Sequence, residues 1–227
     1  GSCGIAAGAL DVKQALVDAL KGTALSTQVE VTGCNGACHR EPLVEVYTPG
    51  GGHVTYTSVT PAQVKRIVDE HLVGGMPVTE WTLDAPAVKA EVQAFLSKQK
   101  RVALRNCGVI DPEQISEYLA AGGYAALRQV LADHDPEKVI AEVVASGLRG
   151  RGGGGFPTGQ KWKFTRAAAG TEKYIICNAD EGDPGAYMDR LLLEEAPHSV
   201  LAGMKACALA VKASRGIVFI RGEYEAA

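Results

Sequence analysis

The residues with the clearest chemical potential lie between positions 147 and 165, a stretch that combines many glycines with basic and aromatic side chains. We call residues 150–155 the glycine loop. Glycine lets backbone N–H groups approach a ligand closely, and neighbouring arginine and lysine side chains favour an anion. Phe156, Trp162 and Phe164 add flat apolar faces. The pattern predicts a ligand with both a phosphate and a planar heterocycle, and the alternative is a flexible linker.

A second polar segment, residues 178–185, is the acidic loop. It follows a predicted apolar strand at 173–177, and ligands of open α/β sheets bind at such strand ends. Its carboxylates can accept hydrogen bonds from ribose hydroxyls or ring N–H groups, and Asn178 can both donate and accept. The order of acidic residues that an EF-hand needs is absent, although a plain acidic turn is the alternative. We therefore expect the glycine loop to hold phosphate and the acidic loop to hold sugar or heterocycle.

Cysteines form the third group. Cys34 and Cys38 are separated by three residues in a glycine-containing loop, and Cys3 is predicted to lie in a loop before the first helix. Thiolates at this spacing suit soft metals and iron–sulfur clusters, whereas reduced, unligated thiols are the alternative. His39 or His53 could complete a zinc site. Buried structural roles are predicted for the remaining three cysteines, which are Cys107, Cys177 and Cys207.

The N-terminal elements that position the cysteines follow from periodicity. Apolar spacing predicts a helix over 9–20, and alternation predicts a strand at 28–31. Two further strands at 43–47 and 53–57 are joined by a glycine-rich turn, which is typical of a hairpin. Thr60 and Pro61 mark the start of a helix that continues to Leu72. Residues 1–75 therefore form a predicted small α/β domain.

Residues 76–110 are a predicted connector, with a short helix at 88–96 and a strand at 102–104. A domain at 111–227 follows, and its predicted helices begin near Ile110 and at Tyr124, Pro136, Met188 and Pro197. Apolar strands at 173–177 and 216–221 alternate with these helices, which indicates a mostly parallel sheet. We expect this α/β fold to continue beyond Ala227.

The glycine loop does not fit two common nucleotide-binding motifs. A dinucleotide fingerprint follows a strand, but residues 136–146 before the loop have the apolar spacing of a helix, with Asp135 as N-cap. In a P-loop, the lysine is followed by serine or threonine, whereas Trp162 follows Lys161. The loop is therefore expected to bind phosphate in a different fold.

Composition narrows the class of protein. A net charge of −3 over 227 residues gives no reason to expect nucleic acid as a partner, and no apolar run is long enough for a membrane span. The sequence opens without a leader, which favours a reducing, cytoplasmic location over a secreted protein with three disulfides. Since it also opens without methionine, we expect residues before Gly1.

Together these motifs resemble a known family. Arg149 to Trp162, followed by Cys177 to Gly185 and Asp189-Arg190, is similar to the NADH-binding flavoprotein subunit of respiratory complex I and its relatives. Those relatives include NAD-linked and electron-bifurcating hydrogenases and NAD-dependent formate dehydrogenases. The N-terminal part resembles the thioredoxin-like [2Fe–2S] ferredoxin domain that precedes the flavin domain in the hydrogenase and formate dehydrogenase branch.

The resemblance implies specific ligands. The residues implied for FMN are Gly150, Arg151, Gly152, Lys161, Asn178, Asp180 and Glu181. Those implied for NAD(P)H are Phe156, Phe164, Glu181 and Asp183. Complex I members tend to have glutamate at the position of Asp183. A [2Fe–2S] cluster is implied at Cys3, Cys34 and Cys38, with a fourth cysteine expected before Gly1.

The fold implied is a thioredoxin-like ferredoxin domain followed by the N-terminal part of an FMN-binding domain, truncated relative to the family. The function implied is hydride transfer from NAD(P)H to FMN and electron transfer to iron–sulfur centres, with bifurcation as a variant and no catalytic side chain. The implied partners are iron–sulfur redox subunits and ferredoxin, and a [4Fe–4S] cluster is expected outside this sequence. The alternative is a non-catalytic iron–sulfur or scaffold subunit without flavin.

Overall fold

A computed structural model describes residues 2–85, 94, 97–183 and 185–224. The chain divides into two units, Gly1–Asp111 and Pro112–Ala227. The helix predicted at 88–96 falls on residues that, except for position 94, lie outside this description. The finer division of the first unit into a domain at 1–75 and a connector at 76–110 stays a prediction.

The first unit combines helices with one β-hairpin. Its longer elements are α1 (Ser2–Ala6), α2 (Ala9–Leu20), β1 (Val44–Tyr47), β2 (His53–Tyr56) and α3 (Pro61–Arg66), which continues as a π-helix over Ile67–Val73. Single 3₁₀ turns lie at Cys38–Arg40 and Thr79–Trp81. The predicted helix over 9–20 and the predicted hairpin are both confirmed.

Local sequence explains where the hairpin and α3 begin and end. In the hairpin turn, the Thr48 N–H donates to the Gly52 carbonyl at 2.9 Å, and Gly51 takes a φ of +82° that favours glycine. At the start of α3, the Thr60 N–H donates to the side-chain oxygen of Gln63 at 2.7 Å, with Pro61 in the first helical position. The hairpin turn and the start of α3 are therefore both fixed by contacts between residues a few positions apart.

The core of the first unit is formed by α2, the hairpin and α3. Its buried apolar side chains come from all of these elements and are Val12, Leu16, Val46, Tyr56, Val59, Val64, Ile67, Val68 and Val78. Tyr56 is fully buried; its hydroxyl lies 2.9 Å from Nδ1 of the buried His71 and accepts from the Val78 N–H at 3.2 Å. Burial lowers the pKa of His71, since the charged imidazolium is poorly solvated there.

Three sequence expectations for the first unit were wrong. Residues 28–31 do not form a strand, and 102–104 are turns. Residues 28–31 alternate polar and apolar side chains, and 102–104 are all apolar, but a strand also needs a hydrogen-bonded neighbour, and none of the described residues supplies one. Cys3 lies in a short helix, α1, and not in a loop.

The second unit alternates helices with a two-stranded parallel sheet. Its elements are α4 (Ile115–Ala120), α5 (Ala125–Asp133), α6 (Pro136–Ala145), α7 (Thr158–Ala167), β3 (Tyr174–Ala179), α8 (Met188–Glu195), α9 (Pro197–Val211) and β4 (Arg215–Ile220). Strands β3 and β4 pair in parallel, from Tyr174↔Arg215 to Ala179↔Ile220, which confirms the predicted sheet direction. Asp135 caps α6 by accepting from the Glu137 and Lys138 N–H groups at 3.1 Å.

The packing in the second unit brings α6, α7 and α9 together beside β3. Ile140, Ala210 and Val211 are buried at the centre, with Trp162 and Ile175 packed against them. Gly159 allows α7 to approach α6, because a Cβ at this position would lie 2.5 Å from Val144 Cγ2. This contact fixes the first turn of α7, which follows the glycine loop.

Candidate nucleotide site and thiol pair

The ends of the glycine loop are pinned by backbone hydrogen bonds. The Gly150 N–H donates to the Phe156 carbonyl at 2.8 Å, and the Thr158 N–H donates to the Leu148 carbonyl at 2.9 Å. Inside the loop, Arg149 Nε donates to the Gly155 carbonyl at 2.6 Å. Arg149 therefore holds the loop together, and the exposed Arg151 is the arginine available to a ligand.

The apex of the loop is open. Gly152, Gly153 and Gly154 are exposed, and no described atom lies within 4 Å of the point that a Cβ would occupy at any of them. Gly153 has a φ of +97°, so the backbone here adopts a conformation that other residues rarely take. Such a loop can present backbone N–H groups to an anion without obstruction from side chains.

Helix α7 begins at Thr158, and only Phe156 and Pro157 separate it from the loop, so its positive end lies near the loop. Lys161 is exposed in the first turn and a half of this helix. Its ammonium is close enough to the Cys207 thiol to oppose the effect of burial, which raises the pKa of that thiol to about 11. A helix N-terminus, an open glycine backbone and a lysine are the donors that a phosphate requires, so these residues fit a phosphate group.

Two of the three predicted aromatic faces are available. The rings of Phe156 and Phe164 have centroids 6.5 Å apart at an interplanar angle of 48°, and the side chains are 49% and 62% exposed. Trp162 instead packs against the buried core of the second unit. The pair of phenylalanines therefore supplies an exposed aromatic surface directly beside the glycine loop.

The acidic loop presents three of its predicted ligands outward. Asn178 lies at the end of β3, and its side-chain oxygen accepts from the Asp180 N–H at 3.1 Å. The side chains of Asn178, Asp180 and Asp183 are exposed. These groups are therefore accessible to a ligand at the carboxyl end of the sheet.

Glu181 differs from its neighbours because its side chain is buried. One carboxylate oxygen accepts from the Met188 N–H and from the Asp189 N–H at 3.0 Å. The other accepts from the Arg190 N–H at 3.2 Å and from the Tyr224 hydroxyl at 3.0 Å. Burial acts to raise the pKa of Glu181, but these hydrogen bonds to the ionised form outweigh it and lower the pKa.

The cysteine loop, residues 33–38, brings two thiols together in the first unit. Cys34 is buried, and its Sγ lies 3.5 Å from Sγ of Cys38 and accepts from the Gly36 N–H at 3.3 Å. The pKa of Cys38 is raised to about 12, by burial first and then by the neighbouring thiols of Cys34 and Cys3. The structure therefore places all three predicted cysteine ligands near one another.

The thiol geometry fits one metal atom only in part. Two sulfur ligands of a tetrahedral metal with bonds of about 2.3 Å lie roughly 3.7 Å apart, so the Cys34–Cys38 pair matches two such positions. Across residues 2–85, 94, 97–183 and 185–224, however, no three cysteine, histidine or acidic side chains converge tightly enough for a metal ion. Neither His39 nor His53 therefore forms such a cluster with this pair in the structure.

Sequence reasoning missed the residues that hold these loops. Arg101 donates to the Asn35 carbonyl and, at 3.4 Å, to the carbonyl of the buried Cys107, so a segment 66 residues away clamps the cysteine loop. Arg221 and Tyr224 contact Glu181 in the same way. Pairing over such distances has no local sequence signal. Burial was predicted for Cys107, Cys177 and Cys207; Cys107 is buried, whereas Cys177 and Cys207 are half-buried.

The glycine loop, the acidic loop and the parallel sheet all lie in one α/β unit, and their exposed polar groups fit a phosphate-containing ligand. Residues 143–227 match the family model described as the Nuo51 FMN-binding domain. The family resemblance predicted from the two loops is thus confirmed.

Individual relatives match the same region. The chain is 50% identical over 123 residues to an NADH-quinone oxidoreductase subunit of Rhizobium meliloti, covering 54% of this chain and 29% of the relative. It is 53% identical over 127 residues to NADP-reducing hydrogenase subunit HndC of Solidesulfovibrio fructosivorans, covering 56% and 26%. It is 55% identical over 89 residues to the alpha subunit of the NAD-reducing hydrogenase HoxS of Cupriavidus necator, covering 39% and 15%.

The matched part spans less than a third of the length of each of these relatives. Among the described residues, no helix is both long enough and apolar enough to cross a membrane.

Proposed function

We propose that this chain is part of the flavoprotein subunit of a hetero-oligomeric redox enzyme of the hydrogenase or complex I type, in which FMN binds to the second unit and NAD(P)H is the hydride donor. The observation that carries the proposal is the open glycine loop followed by α7, within a region that matches the Nuo51 FMN-binding domain model. The relatives named for NADH, NAD and NADP reactions support the redox class.

In this proposal, the chain binds and orients its ligands. The backbone N–H group of Gly152, the Arg151 guanidinium and the Lys161 ammonium hold the FMN phosphate. Gly150 supports this site by fixing the start of the loop, because its own N–H donates to the Phe156 carbonyl. Asn178 and Asp180 hydrogen-bond the ribityl chain or the ring. Phe156 and Phe164 cover the nucleotide of NAD(P)H, with Asp183 beside it. FMN, when bound, supplies hydride acceptance and single-electron release, so no side-chain acid or base is needed.

The first unit is proposed to accept single electrons at a [2Fe–2S] cluster within a thioredoxin-like domain. Cys34 and Cys38 would be two ligands of one iron, because their sulfur separation suits a tetrahedral metal. Cys3 would contribute a third ligand, and a fourth cysteine is expected outside this sequence. The partners proposed are other iron–sulfur subunits, including one with a [4Fe–4S] cluster, and a ferredoxin where the enzyme bifurcates electrons. A cytoplasmic location and a formate-dependent enzyme are proposed on the resemblance alone.

A scaffold without flavin is the less favoured alternative. It would have no use for the exposed Lys161 or for the open apex of the glycine loop, and both features suit a bound phosphate. The exposed aromatic pair beside the loop likewise suits a planar ligand.

The test is an equilibrium titration of the chain with FMN, in which binding is measured by the loss of flavin fluorescence. Lys161→Ala should weaken binding about tenfold or more, because a charge-assisted hydrogen bond contributes about 1.5–3 kcal/mol. The control is Lys163→Ala, which removes another exposed lysine from the same helix and should change affinity less than twofold. Bleaching of the bound flavin on addition of NADH would support the hydride step, whereas a chain that binds no FMN would contradict the proposal.

A further inference from the structure

Glu181 sits in a closed cage of hydrogen-bond donors. Besides the three N–H groups of α8 and the Tyr224 hydroxyl, its backbone carbonyl accepts from Arg221 Nη1 at 2.8 Å. Tyr224 is itself buried, and its ring lies 5.5 Å from the guanidinium of Arg190 and 6.0 Å from that of Arg221. The four hydrogen bonds that the carboxylate accepts are all made within the protein.

This cage connects three parts of the second unit. Glu181 lies in the acidic loop, its amide donors form the first turn of α8, and Arg221 and Tyr224 lie just after β4. A carboxylate at a helix N-terminus also interacts favourably with the helix dipole. Because both carboxylate oxygens are engaged, a nucleotide would have to break these hydrogen bonds to contact the side chain of Glu181.

We infer that Glu181 is a positioning residue, which fixes the acidic loop against α8 and the segment after β4, and that the side chains facing the ligand are those of Asn178, Asp180 and Asp183. The inference rests on the proposed FMN site and deepens it. It differs from the role implied by family resemblance, in which Glu181 contacts the flavin and the nicotinamide ribose directly. The exposure of Asp180 and Asp183 on either side of the buried Glu181 agrees with this division of roles.

The experiment measures two quantities in the chain and its variants. Hydrogen exchange of the ligand-free protein reports the protection of the Met188, Asp189 and Arg190 amides, and a titration reports the FMN dissociation constant. Glu181→Gln should lower both the amide protection and the FMN affinity about tenfold. Tyr224→Phe, which removes one of the four hydrogen bonds to the carboxylate, should lower both about threefold. This milder variant decides the question if Glu181→Gln does not fold.

The matched comparison is Asp180→Asn, which changes an exposed carboxylate in the same loop. It should weaken FMN binding while the amides of α8 stay as protected as in the unaltered chain. The inference is overturned if Glu181→Gln weakens FMN binding with these amides fully protected, because Glu181 would then be a direct ligand. It is also overturned if the amides lose protection and FMN affinity does not change. An unaltered chain that binds no FMN would instead refute the proposed function, and the two failures are therefore distinguishable.

Discussion

The cysteine loop and the glycine loop are both built on glycine and both carry predicted ligands, but they are held in opposite ways. The cysteine loop is clamped from outside, because Arg101 donates to the Asn35 carbonyl and Gly108 packs against Asn35. The glycine loop is pinned at its ends by its own backbone and has an open apex.

The difference matches the chemistry proposed for each loop. Metal ligands must be held at fixed separations, so the sulfur atoms of Cys34 and Cys38 need surrounding structure that limits their movement. A phosphate is bound by several backbone N–H groups and by mobile lysine and arginine side chains, which need access more than enclosure. Substitutions should therefore be damaging in and around the cysteine loop through packing, and in the glycine loop mainly through ligand binding.

The largest effect on stability is expected for Gly108→Ala. A Cβ at this position would lie 2.6 Å from Asn35 Cβ, and the residue has a φ of +77°. Backbone strain and overpacking together should lower the free energy of unfolding of the first unit by about 3 kcal/mol. Chemical denaturation followed through Trp81 measures this loss.

The matched substitution in the open loop is Gly153→Ala. Its φ of +97° also disfavours alanine, but no described atom lies near the new methyl group. We expect a loss of about 1 kcal/mol from strain alone, together with weaker FMN binding. If Gly108→Ala and Gly153→Ala lowered stability equally, packing against the cysteine loop would not be what distinguishes the two loops.

A smaller effect on binding is expected for Phe164→Ala. Its ring is 62% exposed beside that of Phe156, and stacking on an aromatic face contributes about 1 kcal/mol. NADH affinity should fall about fivefold, and FMN affinity should stay within twofold. The control is Tyr174→Ala, which removes an exposed aromatic side chain from the first residue of β3, at the end of the sheet away from the acidic loop. If the two variants weaken NADH equally, the aromatic pair is not part of the site.

The pH range in which stability is lost should also differ between the two units. The folded pKa of His71 lies below its ordinary value of 6.5, so the unfolded chain takes up the proton first and the first unit loses stability as the pH falls below 6.5. The folded pKa of Glu181 lies below 4.5, so the corresponding stability of the second unit is present above pH 4.5 and is lost only in more acidic solution.

The two tryptophans allow this separation to be measured, because Trp81 lies in the first unit and Trp162 in the second. Denaturation curves of Trp162→Phe and Trp81→Phe variants, recorded over a range of pH, report each unit alone. His71→Gln should remove much of the pH dependence between neutrality and pH 4.5 from the first unit. The assignment would be contradicted if the second unit, followed through Trp162, lost stability just below pH 6.5 together with the first unit, followed through Trp81.

Local signals in the sequence predicted much of the fold. The turn at Thr48–Gly52, the start of α3 at Thr60 and the cap of α6 at Asp135 all depend on residues a few positions apart. The predicted strand at 28–31 was wrong because apolar alternation does not show whether a partner strand exists. Helix α7 was not predicted, because Gly159, Lys161 and Lys163 interrupt the apolar spacing on which the prediction relied.

The candidate site was predictable to a similar degree. The exposed groups, among them Arg151, Lys161, Asp180 and Asp183, follow from residue type and from their place after a helix or a strand. The burial of the Glu181 side chain involves a hydrogen bond from Tyr224, which lies 43 residues later in the chain. Contacts of this kind follow from the packing of distant segments, which single-sequence patterns do not encode.

The most direct test of the account is a nuclear magnetic resonance titration of the chain labelled with ¹⁵N in glycine. FMN should shift the amide signals of Gly150 and Gly152–Gly155, while those of Gly33 and Gly36 in the cysteine loop stay unchanged. Inorganic phosphate should shift the same glycine-loop signals at much higher concentration, since it shares the phosphate and lacks the ring. Saturation with FMN that leaves the glycine-loop amides unshifted would contradict the account, because the flavin phosphate would then be bound elsewhere.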